Sequence, residues 1–121
     1  MTDYRPAHIF HQKIKNKPAS LQLKLVRNPD IIAQVAKRGP HRPSVVIGFA
    51  LETQDVMGNA ESKLQAKGLD WIVANRETNL GARLGAVTLI SRWNERIPIG
   101  HMPKERLAKQ IWKALLDRPA L

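Results

Sequence analysis

The apolar positions of this chain change period several times, and each change marks an element. Leu21, Leu23 and Leu25 alternate with Gln22, Lys24 and Val26. A period of two predicts a strand with one face covered. Asn28-Pro29-Asp30 then supplies a capping residue, a proline suited to the first helical position and an acid suited to the positive helix start. Ile31, Ile32, Val35 and Ala36 recur at helical spacing, which predicts a helix ending near Gly39-Pro40. Residues 44–51 read Ser-Val-Val-Ile-Gly-Phe-Ala-Leu, a continuous apolar run that predicts a strand buried on both faces. A helix from about Asp55 to Lys67 is expected to bury Val56, Ala60 and Leu64, with Gly68 as its terminating glycine. Residues 69–74 give a second buried strand, and the order strand, helix, strand is a right-handed crossover unit with two adjacent parallel strands.

Residues 75–85 read as a loop and 86–91 as a strand. Residues 96–99 read as a shorter strand, which Pro98 demotes to an edge and which pairs back through Trp93-Asn94-Glu95. Pro103 opens a last helix whose apolar stripe is Leu107, Ala108, Ile111, Trp112, Leu115 and Leu116. Residues 1–18 are polar, are broken by Pro6 and Pro18, and form an arm or flap ahead of a domain over 19–121. The expected fold is α/β: a partial Rossmann-like three-layer sandwich with a mostly parallel central sheet, about four to five strands and three helices. A sheet of this size leaves a raw edge, so a partner along that edge is expected.

Charge alters this picture. Twenty Lys and Arg oppose ten Asp and Glu, a formal net charge of +10. Such a balance implies an anionic partner. Lys13, Lys15, Lys17, Lys24 and Arg27 crowd the start, and Lys104, Arg106, Lys109 and Lys113 form a second basic stretch. Few aromatics interleave with them, which disfavours stacking on single-stranded nucleic acid. A solvated basic surface, a nucleoside triphosphate site and a nucleic-acid groove all fit the charge. There is no Cys, which excludes disulfides and thiolate chemistry. The start shows no signal-peptide pattern and no apolar run reaches membrane length, so a soluble, cytoplasmic chain is the expectation.

The candidate chemistry is sparse. There is no glycine-rich dinucleotide or Walker-type turn. Lys63 and Lys67 lie one helical turn apart and are either two solvated lysines or a clamp for a polyphosphate. Lys13, among Lys15 and Lys17, is either part of a solvated tail or a lid lysine that supplies charge to a transition state. The backbone N–H groups after Pro29 either form an ordinary capped start or receive a phosphate or base edge. Phe49 sits mid-strand, where core is the default. His8 and His11 have no evident third ligand, and no metal site is expected.

The order of short motifs is more specific than any one of them. Asp3-Tyr4-Arg5-Pro6, Lys13-Ile14-Lys15, Asn28-Pro29-Asp30-Ile31, Arg42-Pro43, Gly48-Phe49-Ala50-Leu51-Glu52-Thr53, Lys67-Gly68-Leu69-Asp70, Ile72-Val73-Ala74-Asn75 and Ala86-Val87-Thr88-Leu89-Ile90 follow one another. Together they resemble the second half of the bacterial phosphopantothenate–cysteine ligase domain, also called phosphopantothenoylcysteine synthetase. That domain usually follows a flavin-dependent decarboxylase in a bifunctional chain. The resemblance implies CTP and Mg²⁺, with 4′-phosphopantothenate and cysteine as substrates. The carboxylate attacks the α-phosphorus of CTP, an acyl-cytidylate forms as pyrophosphate leaves, and the cysteine amine then displaces CMP. By the same resemblance Asp3, Lys13, Pro29, Asp30, Ile31, Ile32, Phe49, Lys63 and Lys67 fall on nucleotide-binding positions. Lys13 matches the catalytic flap lysine, and Lys63 and Lys67 match residues that hold the nucleotide's phosphates.

The chain also departs from the family pattern. The glycine-rich turn and the Asn-containing loop of the family's first half are absent. Asn16 replaces a lysine after Lys-Ile-Lys, Arg76 replaces an acid, and Gly81-Ala82-Arg83-Leu84-Gly85 replaces a Ser-Asp-x-Asn loop. The expectation is a partial or split ligase domain, as a homodimer or with a partner chain supplying the missing half. The alternatives are a non-catalytic nucleotide-binding or assembly module and, disfavoured by the motif order, a basic nucleic-acid binder.

Overall fold

The computed structural model describes residues 2–118, and the expected boundary at 121 lies outside them. The chain divides into two compact units, Met1–Ile31 and Ile32–Leu121.

The first unit is built on two three-residue strands, β1 (Tyr4–Pro6) and β2 (Leu25–Arg27), paired antiparallel. The Ala7 N–H donates to the Lys24 carbonyl and the Asn28 N–H to the Asp3 carbonyl, each at 2.8 Å, so the ladder is closed at both ends. The Asn28 amide donates to the Thr2 carbonyl at 2.8 Å, and the Arg5 guanidinium donates to the Arg27 carbonyl and the Asn28 side chain. The chain between β1 and β2 has no helix or strand and is therefore a long loop pinned at both ends. The predicted strand over Leu21 to Val26 shrinks to β2, with Leu21 and Leu23 exposed. Alternation alone fails here because these leucines meet no apolar layer within the unit.

A short helix, α1 (Ile31–Val35), runs across the division between the units. It stops well before Gly39-Pro40, giving one turn and a bend where a longer helix was predicted.

The second unit is a four-stranded sheet in the order β3 (Ile47–Glu52), β4 (Trp71–Arg76), β5 (Leu84–Ser91), β6 (Arg96–Pro103). β3 and β4 are adjacent and parallel, as the crossover pattern required. β4–β5 and β5–β6 are antiparallel, so the sheet is mixed where a mostly parallel one was expected. The reason is connection length. Only β3 and β4 have a crossover helix between them, and the short links after β4 and β5 allow only antiparallel return.

Two helices make this unit three-layered. The connecting helix α2 (Val56–Lys67) buries Ala60 and Leu64 against Ala50, Ile72, Ala74 and Ile90. Gly68 ends it at φ 67°, a left-handed conformation suited to glycine. The last helix, α3 (Lys104–Leu116), begins directly after Pro103 and packs Leu107, Ile111 and Leu115 on Trp71, Val73, Val87 and Leu89. Period-two alternation along β4 thus feeds both layers, with Ile72 and Ala74 to α2 and Trp71 and Val73 to α3. Each large apolar side chain buried this way contributes about 1.5–3 kcal/mol.

Coverage is unequal. α3 lies over β5 and β6, and the α3-side face of β3 is covered at Ile47 but open at Phe49 and Leu51. Phe49 is 70% exposed and Leu51 is also exposed, which corrects the expectation of a strand buried on both faces. Trp112 and Leu116, expected in the buried stripe of α3, are 61% and 73% exposed.

Candidate functional site

The sequence-predicted residues of the first unit lie near its two strands. Asp3 precedes β1 and is exposed, with its carbonyl committed to Asn28. Lys13 is exposed in the loop between β1 and β2. Pro29 and Asp30 are exposed in the link to α1. Because α1 is a single turn, it lacks the summed dipole of a long helix.

The second unit carries Ile32, Phe49, Lys63 and Lys67. Ile32 packs against the α2-side core and comes close to Gly48. A Cβ at Gly48 would stand 2.5 Å from Leu69 Cδ1 and 3.5 Å from Ile32 Cδ1, so glycine is needed there for close packing. Phe49, the next residue of β3, points to the other face. Ile32 and Phe49 therefore flank β3 on opposite sides, and any ligand touching both must wrap its open edge. That edge is unpaired within the sheet, since β3 neighbours only β4.

Phe49 and Leu51 form one wall of a groove of about 400 Å³, which Val73 floors and Leu107, Ala108 and Ile111 of α3 close. The volume is of small-molecule size. The bare strip above β3 and β4 is also about 10 Å wide at the usual strand spacing, the diameter of one helix.

Lys63 and Lys67 sit one turn apart on α2, as expected. Lys63 is not a bare cation. Its ammonium meets the Glu52 carboxylate at 2.5 Å, and its side chain is 45% exposed. The like-charge repulsion between the two lysines is thus partly offset by Glu52, at the end of β3. The sequence reading missed this partner, although Glu52 stands in the Gly-Phe-Ala-Leu-Glu-Thr motif itself. It also missed Asp70. This carboxylate is 2% exposed, accepts the Val46 N–H at 2.7 Å, and pairs with Arg42 at 3.0 Å and Arg92 at 3.4 Å. Arg42 and Asp70 both lay in motifs of the quoted order, and the 28-residue separation hid their pairing. Among the described residues no group of three His, Cys, Asp or Glu side chains gathers as a metal cage.

The motif order now has an external counterpart. The family model for the DNA/pantothenate metabolism flavoprotein C-terminal domain matches residues 1–118. The chain belongs to this family. The coenzyme A biosynthesis bifunctional protein CoaBC of Borreliella burgdorferi is 38% identical over 117 residues, covering 95% of this chain and 30% of that protein. CoaBC of Haemophilus influenzae is 47% identical over 75 residues, covering 62% of this chain and 18% of that protein. The crystal structure of the C-terminal domain of a CoaBC superposes with a TM-score of 0.69 at 28% identity, covering 93% of this chain and 47% of that one. The flavoprotein of the same name from Streptococcus pneumoniae has the same fold, with a TM-score of 0.70 at 22% identity over 95% of this chain and 56% of that one. The chain therefore spans about half the length of the solved relatives and less than a third of the curated ones. None of its helices is long and apolar enough to cross a membrane, among the described residues.

Proposed function

We propose that this chain is the carboxy-terminal part of a phosphopantothenate–cysteine ligase domain, which binds CTP and completes catalysis only with the amino-terminal part of that domain. The observation that carries the reading is the Borreliella relative, a coenzyme A biosynthesis protein matched over 95% of this chain. The nucleotide-binding positions Asp3, Pro29, Asp30, Ile31, Ile32, Phe49, Lys63 and Lys67 are all of the residue types the reading needs.

The roles follow from charge and placement. Lys63 and Lys67 neutralise phosphate oxygens from one helix face, and Glu52 holds Lys63 until the anion arrives. By the family resemblance Lys13 is the flap lysine that supplies charge for turnover of the acyl-cytidylate. Mg²⁺ commonly binds through substrate phosphates, retained waters and one or two carboxylates. Among the described residues no carboxylate cage gathers, so Mg²⁺ would be held chiefly by the nucleotide's own phosphate oxygens and water and would supply positive charge there. The open stretch of β3 and the vacant strip beside α3 support an incomplete domain, because exposed Phe49 and Leu51 are the residues a further layer would cover. The other half then supplies the glycine-rich turn that approaches the triphosphate. Without it, lysine charge gives binding but not the in-line geometry that chemistry requires.

Calorimetry of the purified chain with CTP, ATP and Mg²⁺ tests the binding half of the reading. CTP is expected to bind and ATP to bind at least tenfold more weakly, a difference of about 1.4 kcal/mol. Equal affinity for both nucleotides, or none for either, overturns it.

A further inference from the structure

A second cavity lies away from Phe49 and from the Lys63–Lys67 face. It has a volume of about 640 Å³ and sits beside the carboxy end of α2, reaching to the β5–β6 turn. Its floor includes Leu64 and Ile90, and four arginines line it: Arg38, Arg42, Arg92 and Arg96.

The fold sets the role of each arginine differently. Arg42 is structural. Its Nε donates to the Ala36 carbonyl at 2.9 Å and its guanidinium to the Gly68 carbonyl at 3.2 Å and the Asp70 carboxylate at 3.0 Å. By taking the Gly68 carbonyl it mutes the negative end of α2, which would otherwise repel an anion. Arg92 bridges to Asp70 and lies 4.7 Å from the Trp93 ring, with its side chain 48% exposed. Stacking on an aromatic face fixes its plane while leaving donors free. Arg96 pairs with Glu61 at the cavity's side. Arg38 makes no hydrogen bond or ion pair among the described residues. Four guanidinium groups thus meet two carboxylates, Asp70 and Glu61, an excess of two positive charges.

We propose that this cavity is a binding site for a small phosphate monoester with an apolar body. A phosphate monoester carries about −1.5 to −2 charges at neutral pH, which matches the excess. Guanidinium forks suit its oxygens in bidentate geometry, with Arg38 and Arg92 as the available donors. The apolar floor takes the organic body, and the volume lies within the usual range for small-molecule sites. None of the positions assigned to the nucleotide lines this cavity.

The test uses the full chain with n-hexyl phosphate, hexan-1-ol and inorganic phosphate as probes, followed by calorimetry and by the indole N–H resonances of Trp93 and Trp112. Hexyl phosphate is expected to bind at least tenfold more tightly than inorganic phosphate and to shift Trp93 but not Trp112. Hexan-1-ol is expected not to bind. Arg38→Glu, at a residue with no internal partner to lose, is expected to weaken hexyl phosphate at least tenfold with an unchanged melting temperature. Arg38→Lys restores part of the affinity. Lys63→Ala/Lys67→Ala leaves it unchanged. Equal binding of hexyl phosphate and hexan-1-ol, unaltered affinity in Arg38→Glu, or a loss in the lysine variant equal to that in Arg38→Glu would overturn the proposal.

Discussion

Lys63 illustrates how one contact changes what a residue is expected to do. Its spacing from Lys67 was legible in the sequence, but its partner Glu52 was not, because a strand end and a helix face meet only after folding. Two opposite effects on CTP binding follow. Lys63→Ala/Lys67→Ala should weaken CTP at least tenfold, about 1.4 kcal/mol. Glu52→Gln should strengthen it severalfold, because a competing carboxylate is removed. Calorimetry on both variants checks this, and the same sign in both would return the three residues to ordinary surface pairing. Asp70 is a separate case. Removing its charge leaves Arg42 and Arg92 without their shared counter-ion and weakens the acceptor for Val46. Asp70→Asn should cost about 2–3 kcal/mol, under the usual range for a fully buried pair because Arg92 is half in water. The reading is a lower urea midpoint with an unchanged slope.

At the scale of elements, patterns with tertiary support were legible and those without it were not. α2 with its terminal Gly68, the β3–β4 parallel pair and the start of α3 after Pro103 all follow from period, capping and crossover rules. The alternation at Leu21 and Leu23 found no covering layer, and Trp112 and Leu116 lie off the face that α3 buries. The segment predicted as a loop over 75–85 is more ordered than its composition suggested, and a single side chain explains why. The Asn79 amide donates to the Ala86 carbonyl at 2.8 Å and accepts the Ala86 N–H at 3.3 Å. It thereby satisfies a residue that the strand ladder skips, at the register shift between Gly85 and Val87. Asn79→Ala should therefore cost about 1–2 kcal/mol. Asn79→Asp should fall between, since it keeps an acceptor for the N–H and loses the donor to the carbonyl. Hydrogen exchange at the Ala86 amide reports the effect locally, and unchanged protection in Asn79→Ala would contradict the role.

For the whole molecule, the decisive feature is what the sheet leaves bare. Composition and pattern indicated a partial α/β layer, and the motif order indicated which family it comes from. Neither located the gap, because a run such as residues 44–51 looks equally apolar whether its covering layer lies within the chain or outside it. In the fold the gap lies along β3, where Phe49 and Leu51 face the groove beside α3. The central claim is that this chain holds the nucleotide but lacks the groups that complete the reaction. The direct measurement is pyrophosphate release from CTP by the purified chain with Mg²⁺, 4′-phosphopantothenate and cysteine. It is run with and without the remaining ligase portion of the Borreliella burgdorferi relative. The account predicts no turnover from the chain alone, and turnover on mixing that disappears when Lys13→Gln replaces the parent chain. Turnover that follows the chain alone through purification and is abolished in Lys13→Gln would contradict it, because 121 residues would then be a complete catalyst.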